Sequence, residues 1–336
     1  MIIEAIRRLT KKENISEELL KESFIEIIEG KASQAQIAGF LIGLSMKGET
    51  EEEILTAVKL FRDYAIKIKA PEGTIDIVGT GGDHSGTFNV STATAFVVAG
   101  VGVSIAKHGN RSASSQCGSI DVLEELGIKV DMTPEVAEKC LFECGMTVLF
   151  APLYHPAMKM VASVRQELQI KTIFNLLGPI INPAQVKRQL LGVFAKEYMD
   201  PIARVLLKLG AEDVMVVHSE EGLDEITITG KTYIVRAKNG EVTTTTLFPE
   251  ELNLQRAMLR NIKGGDRKAN AKIMFNILKG QDGAHRDMVL INAAAALQVA
   301  QRASDFKEGL EMARESIDSG RAYNKLLELK KFTNSN

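Results

Sequence analysis

The chain has little with which to build a covalent framework. Three cysteines in 336 residues are an odd number and too few for a disulfide scaffold. Cys140 and Cys144 share a helical face, but no histidine stands near them to complete a metal site; they read as buried thiols or, against the usual burial of free cysteine, as ligands. Net charge of either sign is also lacking: 41 Lys and Arg against 43 Asp and Glu leave −2. No global basic field therefore draws in nucleic acid. Long apolar runs are missing as well. The window Ala93 to Ala106 is short and broken by glycine, whereas a membrane span needs about 20 apolar residues. The opening MIIEAIRRLTKKENI mixes acidic side chains with helical periodicity and has no apolar core ahead of a small-residue cleavage site. The expectation is a cytoplasmic globular protein with no membrane or nucleic-acid partner. Repeats and low-complexity tracts are absent too.

What is present divides the chain in two, as its length suggests, since single cores stop growing near ~250–300 residues. Residues 1 to about 70 read as helices only. Ser16, Ser33 and Thr50 stand at N-cap positions, the latter two followed three residues later by Gln36 and Glu53 in capping-box patterns. The segment Ser33 to Gly48 is apolar nearly all round (Ile37, Ala38, Phe40, Leu41, Ile42, Leu44). Either it forms an ordinary bundle core or part of it faces a second subunit. After Pro71-Glu72-Gly73 the pattern becomes strand and helix in alternation. Strands are expected at Ile75 to Val78, Val103 to Ala106, Val148 to Phe150, Leu190 to Phe194 and Val214 to His218. Helices are expected at about 91–100, 119–126, 134–144, 156–168 and 199–209. Such alternation implies an α/β domain with a mainly parallel central sheet, which binds ligands at the carboxyl ends of its strands. Residues 226 to 248 read as antiparallel strands, joined partly by Asn239-Gly240 and forming an appendage. The last hundred residues return to helices.

The stretch Ile75 to Ser91, IDIVGTGGDHSGTFNVS, carries the strongest chemical signal. A short apolar strand meets Gly79, Gly81, Gly82 and Gly86, a loop whose backbone N–H groups can approach an anion closely. Asn89, Ser91 or Thr92 can then cap the next helix, whose N-terminus adds unpaired donors and partial positive charge. Phosphate fits such a cradle; a tight strand-to-helix connection fits it too. Neither common nucleotide fingerprint matches, because no Lys-Ser/Thr follows the glycines and the spacing is not G-x-G-x-x-G.

Further polar clusters follow the later strands. Lys107, His108, Gly109, Asn110, Arg111, Ser112, Ala113, Ser114 and Ser115 bring two certain cations, a histidine, an amide and three hydroxyls into nine residues. They suit a phosphate ester better than a solvated turn, and Gly118-Ser119 opens another helix beside them. His155 reads as a structural histidine or a base. Arg165 offers a planar fork that matches a carboxylate as lysine cannot. The run Gly178 to Pro183 reads as a stiff linker and hinge. Asp224-Glu225 are either solvated carboxylates or holders of Mg²⁺, which takes one or two carboxylates plus substrate phosphates.

With these residues in hand, the chain resembles the anthranilate phosphoribosyltransferase family over nearly its whole length. The resemblance rests on GTGGD at 79–83, NVSTA at 89–93, KHGNR at 107–111, SS at 114–115, HPAM at 155–158, TIFNLLGP at 172–179, GLDE at 222–225 and NAAAAL at 292–297. It implies a small all-helical N-terminal domain of residues 1–70, with added helices from about 156–180, and a larger α/β domain of residues 71–336, dimerising through the helical part. It also implies transfer of phosphoribose from phosphoribosyl pyrophosphate to the amine of anthranilate, with Mg²⁺ expected as two ions per subunit. By position, Gly79, Gly82, Asp83, Thr87, Asn89, Val90, Ser91, Thr92, the stretch Lys107 to Ser115 and Ser119 would surround the donor. Gly79, Asn110 and Arg165 would contact anthranilate, and Ser91, Asp224 and Glu225 would hold the metal. An aromatic amine is already a nucleophile, so no general base is assigned; His108 is the residue nearest to one. The chain departs from the pattern at Gln116, Cys117, Ile120, Met160, Gln166 and Gln169, the last at a helix end where glycine relieves strain. A pyrimidine nucleoside phosphorylase shares the GTGG loop but carries an S-x-R-G-L pattern where this chain has KHGNRSASS. A non-catalytic nucleic-acid-binding relative is disfavoured by the net charge and the intact carboxylate pair.

Overall fold

The computed structural model describes residues 1–83, 85–112 and 116–336. Four helices come first: α1 (Ile2–Leu9), α2 (Glu17–Ile28), α3 (Gln34–Lys47) and α4 (Glu51–Asp63). Their starts follow the expected caps. Ser16 accepts from the Leu19 N–H, and both capping boxes, Ser33 with Gln36 and Thr50 with Glu53, are closed in both directions. There follow β1 (Ile75–Gly79), α5 (Val90–Gly100), β2 (Ile105–Gly109), α6 (Ser119–Glu125), α7 (Pro134–Cys144), β3 (Met146–Phe150), α8 (Ala151–Tyr154), α9 (Lys159–Leu168) and α10 (Ile173–Ile180). The chain continues through β4 (Arg188–Gly192), α11 (Met199–Lys208), β5 (Asp213–Ser219), β6 (Thr232–Lys238), β7 (Glu241–Leu247), α12 (Arg267–Leu278), α13 (Ala284–Val299), α14 (Phe306–Asp318) and α15 (Arg321–Ser335).

The seven strands form one sheet in the order β3-β2-β1-β4-β5-β6-β7, with β1 to β5 parallel to one another, β6 antiparallel to β5 and β7 antiparallel to β6. Alternate strand residues feed two cores, as the period of two requires. Leu190, Met215 and Val217 join α5 and the C-terminal helices; Leu191, Val214 and Val216 join α11, α9, α10 and the four N-terminal helices. Phe24 is the hub of the second core, with its ring edge-on to Phe40, Phe61 and Phe174 at 5.3 to 5.9 Å. Cys117, Cys140 and Cys144 are buried, and Cys140 and Cys144 are free thiols.

Five expectations need correction. The fourth strand runs from Arg188 to Gly192 and not from Leu190 to Phe194, because its pairing with β1 and β5 starts at Arg188 and ends at Gly192. The second strand begins two residues later than Val103 and runs through Lys107 and His108, because pairing with β3 extends to Gly109 opposite Phe150. Gly178 to Pro183 is no linker: α10 continues to Ile180, and Ile180, Ile181 and Asn182 are buried, so apolar burial outweighs the Gly and Pro signal. Residues 226–230 form no strand, and β6 and β7 extend the main sheet from β5 instead of hanging from it. Finally, Asn89 sits at the N-cap of α5 without capping it, and Ser91 and Thr92 lie inside the helix.

Candidate active site

Strand order reverses at β1, which has β2 on one side and β4 on the other. In open parallel sheets the crevice at such a reversal, outside the carboxyl ends, takes the ligand. Gly79 ends β1 in register with Gly192, which ends β4. The turn carrying Asp224 packs on both. A Cβ on Gly79 would overlap the Asp224 carboxylate and one on Gly192 would overlap the Asp224 carbonyl, so two absent side chains admit this turn to the sheet end.

The carboxylates reach back to the glycine loop. Asp224 Oδ2 accepts from the Gly81 N–H (2.6 Å), and Glu225 Oε1 accepts from the Ser91 N–H in the first turn of α5 (3.1 Å). Asn292 of α13 fixes the backbone just beyond: its Oδ1 accepts from the Ile226 N–H (3.0 Å), and its Nδ2 donates to the carbonyls of Ile226 and Met288 (both 2.8 Å). Gly81 and Gly82 hold φ of 65° and 71°, a backbone that side chains resist. Thr80 clasps the loop to β4, its N–H donating to Gly192 O (3.0 Å) and its Oγ1 accepting from the Phe194 N–H (2.9 Å). On the other side Thr87 bridges to Lys263, and the Gly264 N–H donates to Gly86 O (2.9 Å). Asp83 Oδ1 accepts from the Ser85 N–H (3.1 Å).

Electrostatics set this cluster apart. Burial pushes Asp224 up to about 7, with the Asp83 charge adding to the shift. Burial and the Asp224 charge raise Glu225 well above the usual carboxylate range, and Lys107 opposes the rise. Lys107 is itself buried, with its ammonium donating to Ile77 O (2.7 Å) and Ser91 Oγ (3.3 Å). Buried Asp224 and half-buried Glu225, both with raised proton affinity, stand beside the buried Lys107 ammonium and form a place that an added cation would relieve. Among the described residues no three His, Cys, Asp or Glu side chains group to cage a metal. Mg²⁺ takes one or two carboxylates and completes its shell with water and substrate phosphate.

Other expected residues fall nearby or apart. Asn110 follows β2, its carbonyl accepting from the Ile120 N–H and Ser119 Oγ (both 3.3 Å) at the start of α6. The Ser112 and Gly118 N–H groups both donate to Asp121 Oδ2 (3.0 and 2.8 Å), while exposed Arg111 pairs with Glu124 (2.7 Å). Val90 and Thr92 are buried. Asn89 spends its side chain on the protein, donating to Cys117 O (3.2 Å) and accepting from Asn270 Nδ2 (3.0 Å). Ala113, Ser114 and Ser115 lie outside the described residues. His108 is not a loop residue or an available base: it is buried, its Nε2 lies 3.2 Å from His155 Nε2, and burial brings it down to about 3. Its N–H donates to Asp76 Oδ1 (3.3 Å), whose Oδ2 accepts from Asn182 Nδ2 (2.7 Å).

Arg165 rises from α9 with its guanidinium 5.5 Å from the centre of the Phe174 ring. Burial lowers its proton affinity, and it makes no ion pair with another described residue. The sequence reading missed Gly192, Lys171, Asn182 and the Lys263-Gly264-Gly265 turn. Gly192 sits inside the apolar run LLGVF, where only a glycine interrupting a strand hints at a close approach. A cavity of about 300 Å³ opens at the amino ends of β1 and β4, lined by Pro71, Gly73, Gln185, Lys187 and Arg188; it shares no residue with this cluster.

Residues 72–323 match the glycosyl transferase family, a/b domain, and residues 3–65 match its helical bundle domain. The chain is 48% identical to an anthranilate phosphoribosyltransferase of Aquifex aeolicus, covering 96% of this chain and 95% of that one. It is likewise 48% identical to that of Desulfitobacterium hafniense strain Y51, covering 98% of each. Among solved structures, anthranilate phosphoribosyltransferase from Thermus thermophilus superposes with a TM-score of 0.91 at 40% identity, covering 98% of this chain and 99% of that one. The Saccharomyces cerevisiae enzyme in complex with PRPP and Mg superposes with a TM-score of 0.91 at 28% identity, covering 100% and 98%.

Proposed function

The chain belongs to the anthranilate phosphoribosyltransferases of the glycosyl transferase family, and from that membership we propose how it works. It transfers the phosphoribosyl group of 5-phosphoribosyl 1-pyrophosphate to the amine of anthranilate, giving N-(5-phosphoribosyl)anthranilate and pyrophosphate, a step of tryptophan biosynthesis. The observation that carries the reading is the Asp224–Glu225 pair, seated on two facing glycines at the sheet's reversal and bonded to the glycine loop and the start of α5.

The division of labour follows from charge. Departure of pyrophosphate leaves positive character on the ribose carbon, so the protein must neutralise the leaving group, exclude water and align the amine. The glycine-loop amides and the α5 N-terminus lie where anionic oxygens are stabilised. Mg²⁺, two ions in this proposal, would be held by Ser91, Asp224 and Glu225 and would supply charge neutralisation to the pyrophosphate. Gly79, Gly82, Asp83, Thr87 and Asn110 to Ser112 would border the donor. Arg165, with Gly79 and Asn110, would hold the ortho carboxylate of anthranilate and so point its amine at the ribose. No proton acceptor is needed to make an aromatic amine nucleophilic, in keeping with the burial of His108.

The proposal extends to a cytoplasmic homodimer joined through the helical domain of residues 1–70 with α9 and α10. It is supported by Ile3 and Met46, apolar yet 52% and 72% exposed on the packed helices α1 and α3, and by the free thiols Cys140 and Cys144. Described helices include none long and apolar enough to cross a membrane. The activity is tested by mixing protein, donor, Mg²⁺ and anthranilate and following anthranilate fluorescence. A rate that vanishes on omitting donor or metal is expected; undiminished fluorescence with active donor refutes the assignment. Sedimentation at micromolar concentration tests the dimer, and a monomeric mass refutes it.

A further inference from the structure

Lys171 lies in the four-residue link between α9 and α10, outside every motif singled out in the sequence. Its carbonyl accepts from Ser45 Oγ of α3 (3.0 Å), which ties the link to the helical layer. Its side chain runs the other way, toward the α/β layer. The Cε atom lies 3.6 Å from where a Cβ on Gly82 would stand, and Nζ sits 3.8 Å from the centre of the Phe194 ring. Phe194 is anchored in turn: its N–H donates to Thr80 Oγ1 within the glycine loop, and its ring meets Tyr198, whose hydroxyl donates to Glu49 Oε2 (3.0 Å).

The aromatic face holds the ammonium in place without consuming its N–H donors. Asp83 and Asp224 are close enough to act on its charge, yet Lys171 forms no ion pair with either within 4.0 Å, nor with any carboxylate among the described residues. A half-buried cation is thus parked over an anion-binding loop, near carboxylates it does not join. A strongly hydrated point charge on a flexible stem suits a multiply charged phosphate more than a planar carboxylate.

We propose that Lys171 is a donor-binding residue whose ammonium meets the pyrophosphate of the phosphoribosyl donor at the glycine loop, delivered from the helical layer across the crevice. This rests on the phosphoribosyl-transfer reading and adds to it a residue that the family resemblance did not assign. Because the link carrying Lys171 also follows Arg165 by six residues, donor and acceptor contacts come from one connected segment.

The test uses Lys171→Met, which keeps the apolar stem, and Lys171→Arg, which keeps the charge. Binding of inorganic pyrophosphate with Mg²⁺ is measured by calorimetry, and donor and acceptor KM by steady-state kinetics. Loss of a charged hydrogen bond predicts ten- to a hundredfold weaker pyrophosphate binding and a matching rise in donor KM for Lys171→Met. Acceptor KM should stay within about twofold, the urea midpoint should not move, and Lys171→Arg should recover most of the loss. Pyrophosphate affinity and donor KM within about twofold of wild type overturn the proposal. So do equal losses for donor and acceptor with a lowered urea midpoint, which would make Lys171 a structural tie. If wild type binds pyrophosphate in a Lys171-dependent way but does not consume anthranilate, the acceptor assignment fails and the Lys171 role stands. If wild type binds no pyrophosphate, both fall.

Discussion

Gly192→Ala puts the site's construction to a direct test, because it adds one methyl group and touches no charged atom. The new Cβ would overlap the Asp224 carbonyl and lie 3.1 Å from the Asp224 Cα. Backbone cannot bend away as a side-chain end can, so the Asp224–Glu225 turn must retreat by roughly 1 Å or more to restore van der Waals contact. Misplacement by about 1 Å of groups that align reactants costs on the order of a hundredfold in rate, about 2.7 kcal/mol of barrier. Overpacking itself costs about 1–3 kcal/mol of stability, which a domain with about 5–15 kcal/mol in hand survives. The assay is initial rate against Mg²⁺ concentration, paired with urea unfolding on the same preparation. A folded variant is expected with kcat down about a hundredfold and half-saturation by Mg²⁺ moved upward. Wild-type turnover at wild-type Mg²⁺ dependence would show that the facing glycines do not set the carboxylate pair, and the reasoning would fail.

Three further outcomes follow from other parts of the fold. Arg165→Ala should forfeit a charged hydrogen bond of about 1.5–3 kcal/mol, seen as a ten- to hundredfold loss in kcat/KM for anthranilate with donor KM nearly unchanged; parameters all within about twofold of wild type would remove Arg165 from the acceptor site. Gln169 closes α9 in the left-handed region at φ 51°, so Gln169→Gly should gain about 0.5–1 kcal/mol after the extra chain entropy of glycine is counted, and a urea midpoint that does not rise would contradict this. Burial brings His155 down to about 4 from its ordinary 6.5, so the unfolded chain binds the extra proton and stability falls as pH drops from about 6.5 toward 4, by up to about 1.4 kcal/mol per pH unit. His108 acts in the same direction, and Asp76, raised to about 6, acts in the opposite direction between about 4 and 6. Replacing His155 with Gln should flatten the dependence by one proton; parallel curves of urea midpoint against pH for the two proteins would refute it.

Much of the architecture was legible because period and punctuation are local signals. The capping boxes at Ser33 and Thr50, the glycines at Gly81 and Gly82 with positive φ, and the Asn239-Gly240 hairpin each state their geometry within a few residues. The site was harder to read wherever partners are distant in sequence. Lys107 looks like a loop cation until its ammonium is found buried between Ile77 O and Ser91 Oγ. Gly192 means nothing until residue 224 is seen to pack on it. Gly178-Pro179 spell a break, but two flanking runs of buried apolar side chains hold the helix to Ile180. Tertiary burial overrode local propensity there, as it did at Asn89, whose side chain answers Cys117 and Asn270 instead of its own helix.

The clamp from Asn292 has a consequence for the order in which the protein can mature. The glycine loop and α5 leave the ribosome early, but α5 is buried against α13, α14 and α15, with Ser316 Oγ donating to Val97 O (2.7 Å), and the carboxylate turn is pinned by Asn292. Contacts that join residues near 97 and 226 to residues 292 and 316 cannot form until the last of these has been synthesised, and such long-range closure is slow. A nascent chain that has made every residue of the anion cradle therefore still lacks a working one. Competence to hold substrate is among the last properties the growing polypeptide acquires, and α5, apolar on all sides, is the segment most in need of protection while it waits.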